Sequence, residues 1–560
     1  MAFFKISQIK SVLSSILAYK WSILCSIYFC MIVFYPNFSS TEFSSFAISK
    51  FLGAVSLIFI LHVLAKTRYT LPLTILLGII IIINAYFSFV LTTNFISLGI
   101  IASMIESDVS EAVTVLGGRI LPILIIVVLT TSLIYLALRE LKVSALKRRV
   151  SVLIVFFYAF SLLPVLTLRR ILLTNLRFQF HSLSLFYTQL VVNEYSPLLY
   201  GNVATLVSYV NEVSTLKQAF QNERKIKDGM TINTELSDSL KVSKIYLVVG
   251  ESATRAHMSL YDYSVKTTPF LDSLSYVDSV NMSYYYALTG ATLTRNSVPM
   301  ILGTSSAHDR TAFSREKTLL DLANESGYET FWLSNQPRVD SWDIQMGSFI
   351  SRLSQMSQNL RHLSPAYGED FDVLSALKEV HEETDRPQLF VLHITGSHET
   401  YSDRYDEIDE DAINGEGVVV DYDRSIYHTD RFLQRLYNEV MSKDQSSLLI
   451  YMSDHGEDIG VGHGFTMTKT QFKVPLVTIN NSLYSIDSVV AKYLDQQVWE
   501  AETEYNINTG SIMYIVSDVL GYTISDDLVE QVIDDGRSVY HRDEIFSYKE
   551  IFEQKNSIED

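Results

Sequence analysis

At 560 residues the chain is longer than one ordinary domain, and its formal net charge of −18 excludes a partner held by phosphate neutralisation, so no nucleic-acid role is expected. The 48% hydrophobic content averages two unlike parts: a first third of long apolar runs and, from about Asp228, a polar remainder rich in Asp, Glu and Tyr. The only two cysteines, Cys25 and Cys30, fall in the first apolar run; the polar part therefore has no disulfides and leaves metal binding to His, Asp, Glu and Thr.

In chain order, five runs are long and apolar enough to span a bilayer: about Ser14 to Tyr35, Phe46 to Lys66, Leu71 to Leu91, Ile120 to Leu138 and Val150 to Leu168. Each approaches the ~20 residues that ~30 Å of hydrocarbon requires. Residues 1–168 are expected to form a five-helix transmembrane domain. Lys5, Lys10 and Lys20 flank the first run, Lys66 and Arg68 follow the second, and Arg139, Lys142, Lys147, Arg148 and Arg149 separate the fourth from the fifth. Asn37 to Ser45 and Thr92 to Gly118 contain no Lys or Arg. This asymmetry predicts a cytoplasmic N-terminus and an exported polar region.

Residues 169–232 alternate apolar patches with polar turns, which predicts amphipathic helices lying at the membrane surface; an ordinary linker fits the same pattern. Beyond Asn233, short β-rich runs alternate with helical patterns: Lys244 to Val249, Glu329 to Leu333, Leu389 to Ile394, Leu448 to Met452 and Leu476 to Ile479. They predict an α/β domain over 233–560 with a largely parallel sheet covered by helices. Such sheets bind ligands at the carboxyl ends of their strands.

Three strand ends carry chemistry. Gly250-Glu251-Ser252 closes the first and offers Glu251 as an oxygen ligand, although a glutamate after a strand is commonly a solvated loop residue. Ser453-Asp454-His455-Gly456-Glu457 closes another; Asp454 and His455 can turn to one cation, or His455 can cap a helix. Between them, Leu288 to Pro299 is a Gly-led loop feeding a helical stretch, which sets Thr294 near a helix N-terminus. A threonine hydroxyl needs metal coordination to act as a nucleophile at neutral pH, and on spacing alone an N-capping role suits Thr294 better. His398 in Thr395-Gly396-Ser397-His398 and His463 in Gly462-His463-Gly464 can bind a phosphoryl oxygen or protonate a leaving group. His393 reads as core, and the remaining histidines close no strand so clearly.

Taken together, the apolar runs, Val248 to Ser252, the Thr294 loop ending in Ser297-Val298-Pro299, the Gly396-Ser397-His398 turn with Arg404-Tyr405-Asp406-Glu407, Ser453 to Glu457 and Val474-Pro475 resemble the phosphoethanolamine transferases of the alkaline phosphatase and sulfatase superfamily. That resemblance implies a sulfatase-like catalytic domain in the periplasm, anchored in the bacterial inner membrane. It makes Glu251, Thr294, Asp454 and His455 ligands of one Zn²⁺, with a second metal allowed, and Thr294 the nucleophile. His398 and His463 match positions that handle the phosphoryl group. Ser103, Ser107 and Glu111 resemble a lipid-headgroup site, and Asn335 a substrate-side residue.

The reaction implied is transfer of phosphoethanolamine from phosphatidylethanolamine to lipopolysaccharide core, lipid A or another glycan. Asp262 stands where a Gly commonly precedes Tyr263, and Arg338 only approximately replaces a basic residue of the lipid A enzymes; Gly250 to Leu271 is closer to the branch acting on core sugars. Three rivals remain: a glycerophosphate transferase of the lipoteichoic acid synthase type, a sulfatase-like phosphodiesterase, which Thr294 in place of a modifiable Cys or Ser disfavours, and a degenerate domain that only binds a partner.

Overall fold

The computed structural model of the chain describes residues 18–35, 47–67, 70–90, 120–162, 197–219, 223–232, 242–277, 280–335, 356–359, 370–381, 386–444, 446–464, 466–497, 506–542 and 544–553. Among these, two compact units separate, one up to residue 212 and one from residue 213 onward.

The first unit holds helices α1 (Lys20–Phe34), α2 (Ala47–Ala65), α3 (Leu71–Phe89), α4 (Ile120–Val143) and α5 (Arg148–Phe157), and α6 (Asn202–Ala219) begins in it and runs past residue 212. Among the described residues, α3 and α4 are long and apolar enough to cross a membrane. Polar side chains tie this bundle together. The Glu140 carboxylate accepts from the Trp21 and Ser22 amides at 3.0 and 2.8 Å, supplying the N-terminus of α1 with acceptors its own sequence lacks. The Tyr28 and Thr130 hydroxyls meet at 2.7 Å, and Ser88 donates to the Ile32 carbonyl at 2.6 Å. The predicted first and fifth spans extend outside the described residues. So does much of the predicted linker, of which α6 is the described helix.

The second unit is built on an eight-stranded sheet. Its strands are β2 (Lys244–Gly250), β3 (Asn281–Leu288), β4 (Glu329–Ser334), β5 (Met356–Asn359), β6 (Gln388–His393), β7 (Ser447–Ser453), β8 (Lys473–Asn480) and β9 (Asn506–Asn508), after a short outlying β1 (Met230–Ile232). Their order is β5-β4-β6-β2-β7-β8-β3-β9. Pairings are parallel except at β8, which runs antiparallel to β7 and to β3. Since β3 is antiparallel to β8, it points the same way as β7. The carboxyl ends of β2, β3, β4, β6 and β7 therefore share one edge.

The central strands are apolar throughout because both faces are covered. Ile245, Leu247, Val249, Ile450 and Met452 join one core; Tyr246, Val248, Leu449 and Tyr451, the alternate residues, join the other. The second core also takes the buried faces of α7 (Pro269–Ser275), α9 (Asp370–His381) and α10 (Val418–Glu439), while α8 (Thr294–Ile301) and α11 (Ile512–Val519) pack into the first. Asp262, the departure noted beside Tyr263, has φ +70°. This is a left-handed position where glycine is easiest and a short polar residue is tolerated.

Candidate active site

Glu251 follows β2 directly, and the turn that aims it is set by Ser252 at φ +57°, since Gly250 is still paired in the strand. Gly396 packs against it at φ +54°; a Cβ there would lie 2.8 Å from the Glu251 carbonyl oxygen, so no side chain fits. The Ser397 amide then donates to that same carbonyl at 2.9 Å. Asp454 and His455 follow β7. Here Gly456 is needed for close approach, since a Cβ would fall 2.1 Å from the Thr470 carbonyl oxygen. Asp454 accepts from the His455 amide at 2.7 Å and from the Ser297 hydroxyl at 3.3 Å.

Thr294 is the first residue of α8, with Leu293 in the capping position. The N-capping role that spacing favoured is thus not the one it plays. Its hydroxyl lies 3.2 and 3.0 Å from the two Glu251 carboxylate oxygens and 3.2 Å from His455 Nε2. His455 Nε2 is in turn 3.2 Å from Glu251 and 3.4 Å from Asp454. Four residues from three strand ends meet at one point. Glu251, Asp454 and His455 are buried there, while Thr294 is half-buried.

The electrostatics of this cluster are those of carboxylates short of a cation. Burial raises Glu251, yet the charge and hydrogen bond of His455, with the His398 and His463 charges, together outweigh it and hold that carboxyl well below its usual range. Burial together with Glu251 drives Asp454 upward. Burial lowers His455, but the charges of Asp454 and Glu251 overcome it and drive it upward. A proton on His455 thus supplies the positive charge that a metal ion at Nε2 would supply. Glu251, His455 and His463 each offer a ligand atom within 4.8 Å of the others, so the donor set can hold a metal.

His463 and His398 line up beyond His455: ring centroids of His455 and His463 are 4.2 Å apart, and those of His463 and His398 5.4 Å. His463 Nδ1 donates to Glu457 Oε2 at 3.0 Å and His398 Nδ1 to the Glu399 carbonyl at 2.7 Å, which leaves proton transfer on either ring to Nε2. Burial pushes Glu457 up to about 7 and pushes His463 well down.

Asn335 follows β4 on the same edge, but its amide donates to Asp370 Oδ1 at 2.6 Å and the residue is buried. Asp370 also accepts from the Thr395 and Gly396 amides at 2.9 and 3.1 Å, so Asn335 and Asp370 together hold the turn that carries His398. Asp370 and Glu457 have roles that the sequence reading did not assign. Ser103, Ser107, Glu111 and Arg338 lie outside the described residues. His393 is buried in β6, as read.

Comparison with known proteins agrees with this architecture. The sulfatase family model matches residues 243–521. Phosphoethanolamine transferase EptC of Escherichia coli O18:K1:H7 (strain RS218 / NMEC) is 27% identical over 229 residues, 38% of this chain and 40% of that protein. Putative transferase YhbX of Escherichia coli O157:H7 is 27% identical over 271 residues, 47% of each. The matches thus span less than half the length of these curated relatives. In fold, the integral membrane protein lipooligosaccharide phosphoethanolamine transferase A from Neisseria meningitidis aligns with 92% of this chain and 96% of its own, with TM-score 0.61 and 19% identity. Residues 243–521 therefore form a sulfatase-family domain, in a chain similar in sequence to proteins named phosphoethanolamine transferases.

Proposed function

We propose that this protein is a membrane-anchored, Zn²⁺-dependent enzyme that moves phosphoethanolamine from phosphatidylethanolamine to an envelope glycolipid or glycan such as lipopolysaccharide core or lipid A. The observation that carries this reading is the Thr294 hydroxyl within 3.2 Å of both the Glu251 carboxylate and His455 Nε2, at the carboxyl edge of a sulfatase-type sheet. The Thr294 oxygen, a Glu251 oxygen and an Asp454 oxygen lie 3.2, 3.2 and 3.4 Å from His455 Nε2, so these four residues are the ones that would hold a Zn²⁺ ion, which accepts such N and O donors. Zn²⁺ in such a set lowers the pKa of a coordinated hydroxyl and neutralises charge building on a phosphoryl oxygen. The relatives named as phosphoethanolamine transferases support the transferred group, and the fold likeness to an integral membrane enzyme supports the anchor.

The chain's own residues do the rest. Glu251 orients the Thr294 hydroxyl and takes its proton as that oxygen attacks the phosphorus of the lipid. The bond to the diacylglycerol oxygen breaks, and a protonated His398 gives that oxygen a proton through Nε2, while neutral His463 offers its Nε2 as an acceptor on the substrate side. An acceptor hydroxyl then attacks the phosphorus and passes its proton to His398, and Glu251 returns the first proton to Thr294 as the bond between that oxygen and phosphorus breaks. On this reading residues 1–168 cross the inner membrane five times from a cytoplasmic N-terminus, residues 169–232 lie along the periplasmic face, and residues 233–560 stand in the periplasm. The anchor keeps the domain beside a donor that does not leave the bilayer. Ser103, Ser107 and Glu111 bind the lipid headgroup in this reading, with Asn335, His398 and His463 on the substrate side.

The test is to incubate the purified full chain with headgroup-labelled phosphatidylethanolamine and to locate the label by mass spectrometry. Phosphoethanolamine on Thr294 is expected. Label on another residue, or reaction with phosphatidylglycerol instead, overturns the assignment.

A further inference from the structure

The loop that delivers Thr294 is held largely by residues beyond the segment that matches the sulfatase family. A hairpin of β10 (Ser538–His541) and β11 (Glu544–Ser547) follows that segment, with register Ser538 to Ser547 and His541 to Glu544. Its first strand lies alongside residues 290–292: the Tyr540 amide donates to the Gly290 carbonyl at 2.9 Å, and the Thr292 amide to the Tyr540 carbonyl at 3.4 Å. The Tyr548 hydroxyl donates to the Thr289 carbonyl. His541 adds a side-chain bond, its Nδ1 lying 2.7 Å from the Thr292 hydroxyl, two residues before the nucleophile. His541 is buried, its Nε2 has no hydrogen-bond partner among the described residues, and Phe472 and Phe546 close around the ring. Burial pushes the imidazole well below its ordinary value, so the ring is neutral.

A buried histidine with one nitrogen left over is costly unless the other nitrogen is used well. What this one does is fix the rotamer of a loop threonine from outside the eight-stranded sheet. From the opposite side the Thr289 hydroxyl reaches the Asp454 carbonyl at 2.5 Å, next to the ligand cluster. The loop is therefore clamped between the β7 end and the C-terminal hairpin, and Thr294 starts α8 immediately after the clamp.

We infer that His541 is a positioning residue for the nucleophile: through Thr292 it sets where the Thr294 oxygen sits over Glu251 and His455. The inference rests on the reading of Thr294 as the nucleophile. His541 touches neither substrate nor the reacting atoms, so its effect falls on the geometry of attack and not on lipid binding.

The experiment compares the full chain with His541→Leu, His541→Asn and Thr292→Val for kcat, KM for phosphatidylethanolamine, bound zinc and Tm. A displacement of ~1 Å at a reacting atom costs up to about 100-fold in rate, so His541→Leu and Thr292→Val are each expected to lower kcat about 10- to 100-fold with KM and zinc unchanged. The double variant is expected to be no worse than either single one. His541→Asn keeps a hydrogen-bonding atom near the place of Nδ1 and is expected to recover most of kcat. Full kcat in Thr292→Val, or equal loss in His541→Leu and His541→Asn, would overturn the inference, as would loss of zinc in step with kcat. Should His541→Leu not fold, Thr292→Val against His541→Asn decides alone. An unmodified chain that forms no Thr294 adduct defeats the functional reading instead, a result separable from these.

Discussion

His455 Nδ1 lies 2.9 Å from the carbonyl oxygen of Gly456, and this one hydrogen bond decides which nitrogen meets Thr294. With Nδ1 committed to a backbone acceptor, the lone pair of the neutral ring is on Nε2, facing Glu251 and the threonine hydroxyl. Removing the hydroxyl while keeping this geometry separates chemistry from metal binding. Thr294→Ala is expected to lose transfer by at least about 1,000-fold and to keep zinc on the three remaining ligands, with Thr294→Ser partly active. His455→Ala is expected to lose both. Zinc analysis alongside the transfer assay reads this directly, and chelation followed by Zn²⁺ addition should abolish and restore the wild-type rate. Full activity in the chelated protein would remove the metal from the mechanism.

The closeness of two backbones makes a second prediction. Gly396 sits at φ +54° with its would-be Cβ 2.8 Å from the Glu251 carbonyl oxygen and 3.0 Å from its amide nitrogen. Gly396→Ala must therefore shift Glu251 or the His398 turn, at a cost of about 1–3 kcal/mol for the strained backbone. The expected outcome is a chain that folds, melts several degrees lower and binds zinc more weakly. Unchanged zinc affinity would mean that the turn yields without moving Glu251.

Asp370 offers a third. Its carboxylate serves the Thr395 and Gly396 amides and the Asn335 side chain, all buried. Asp370→Ala leaves those donors without acceptors, at about 1–3 kcal/mol for each buried group. His398 then loses its fixed turn, so a fall in kcat and in Tm together is expected, while zinc content stays unchanged because no donor of the cluster is removed. Asp370→Asn, which keeps one acceptor oxygen, should fall between. A wild-type kcat in Asp370→Ala would show that His398 does not depend on that turn.

The five strands read from apolar runs are all present, as are the polar residues at their ends, because a buried parallel strand and the residue that leaves it are both local signals. What escaped was set by distance in the chain. β3 is a Tyr-rich run, Asn281–Leu288, only partly buried along its length, so it lacks the continuous apolar signature of β2 or β7. The reversal of β8 depends on which neighbours it pairs with and leaves no mark in its composition. Asp370 serves amides 25 and 26 residues away, and His541 a hydroxyl 249 residues away. No spacing rule links such pairs. What requires a glycine at 456 is the Thr470 carbonyl pressed against it, a contact visible only once the two segments are packed.

Asp430, on α10 and far in sequence from the zinc-type cluster, gives the pH prediction. Its carboxylate accepts from the Phe270 and Leu271 amides at 2.8 and 3.1 Å and so supplies the N-terminus of α7. Burial, with a smaller push from Asp272, outweighs those two hydrogen bonds and raises the carboxyl to about 8. The folded-state value thus lies above the ordinary 3.8 of an unfolded aspartate. Between the two the native chain holds a proton that the unfolded chain has released, so this group's contribution is full below about 4 and is lost as pH rises through about 8. Asp430→Asn mimics the protonated acid at every pH. Between pH 6 and pH 8 that proton is worth ~3 kcal/mol, at ~1.4 kcal/mol per pH unit, so the wild type is expected to lose Tm between pH 6 and pH 9 by roughly 5 °C more than the variant does. Melting both proteins in detergent across that range tests it; parallel curves would mean that Asp430 is ionised in the folded chain and that its two amide bonds outweigh burial.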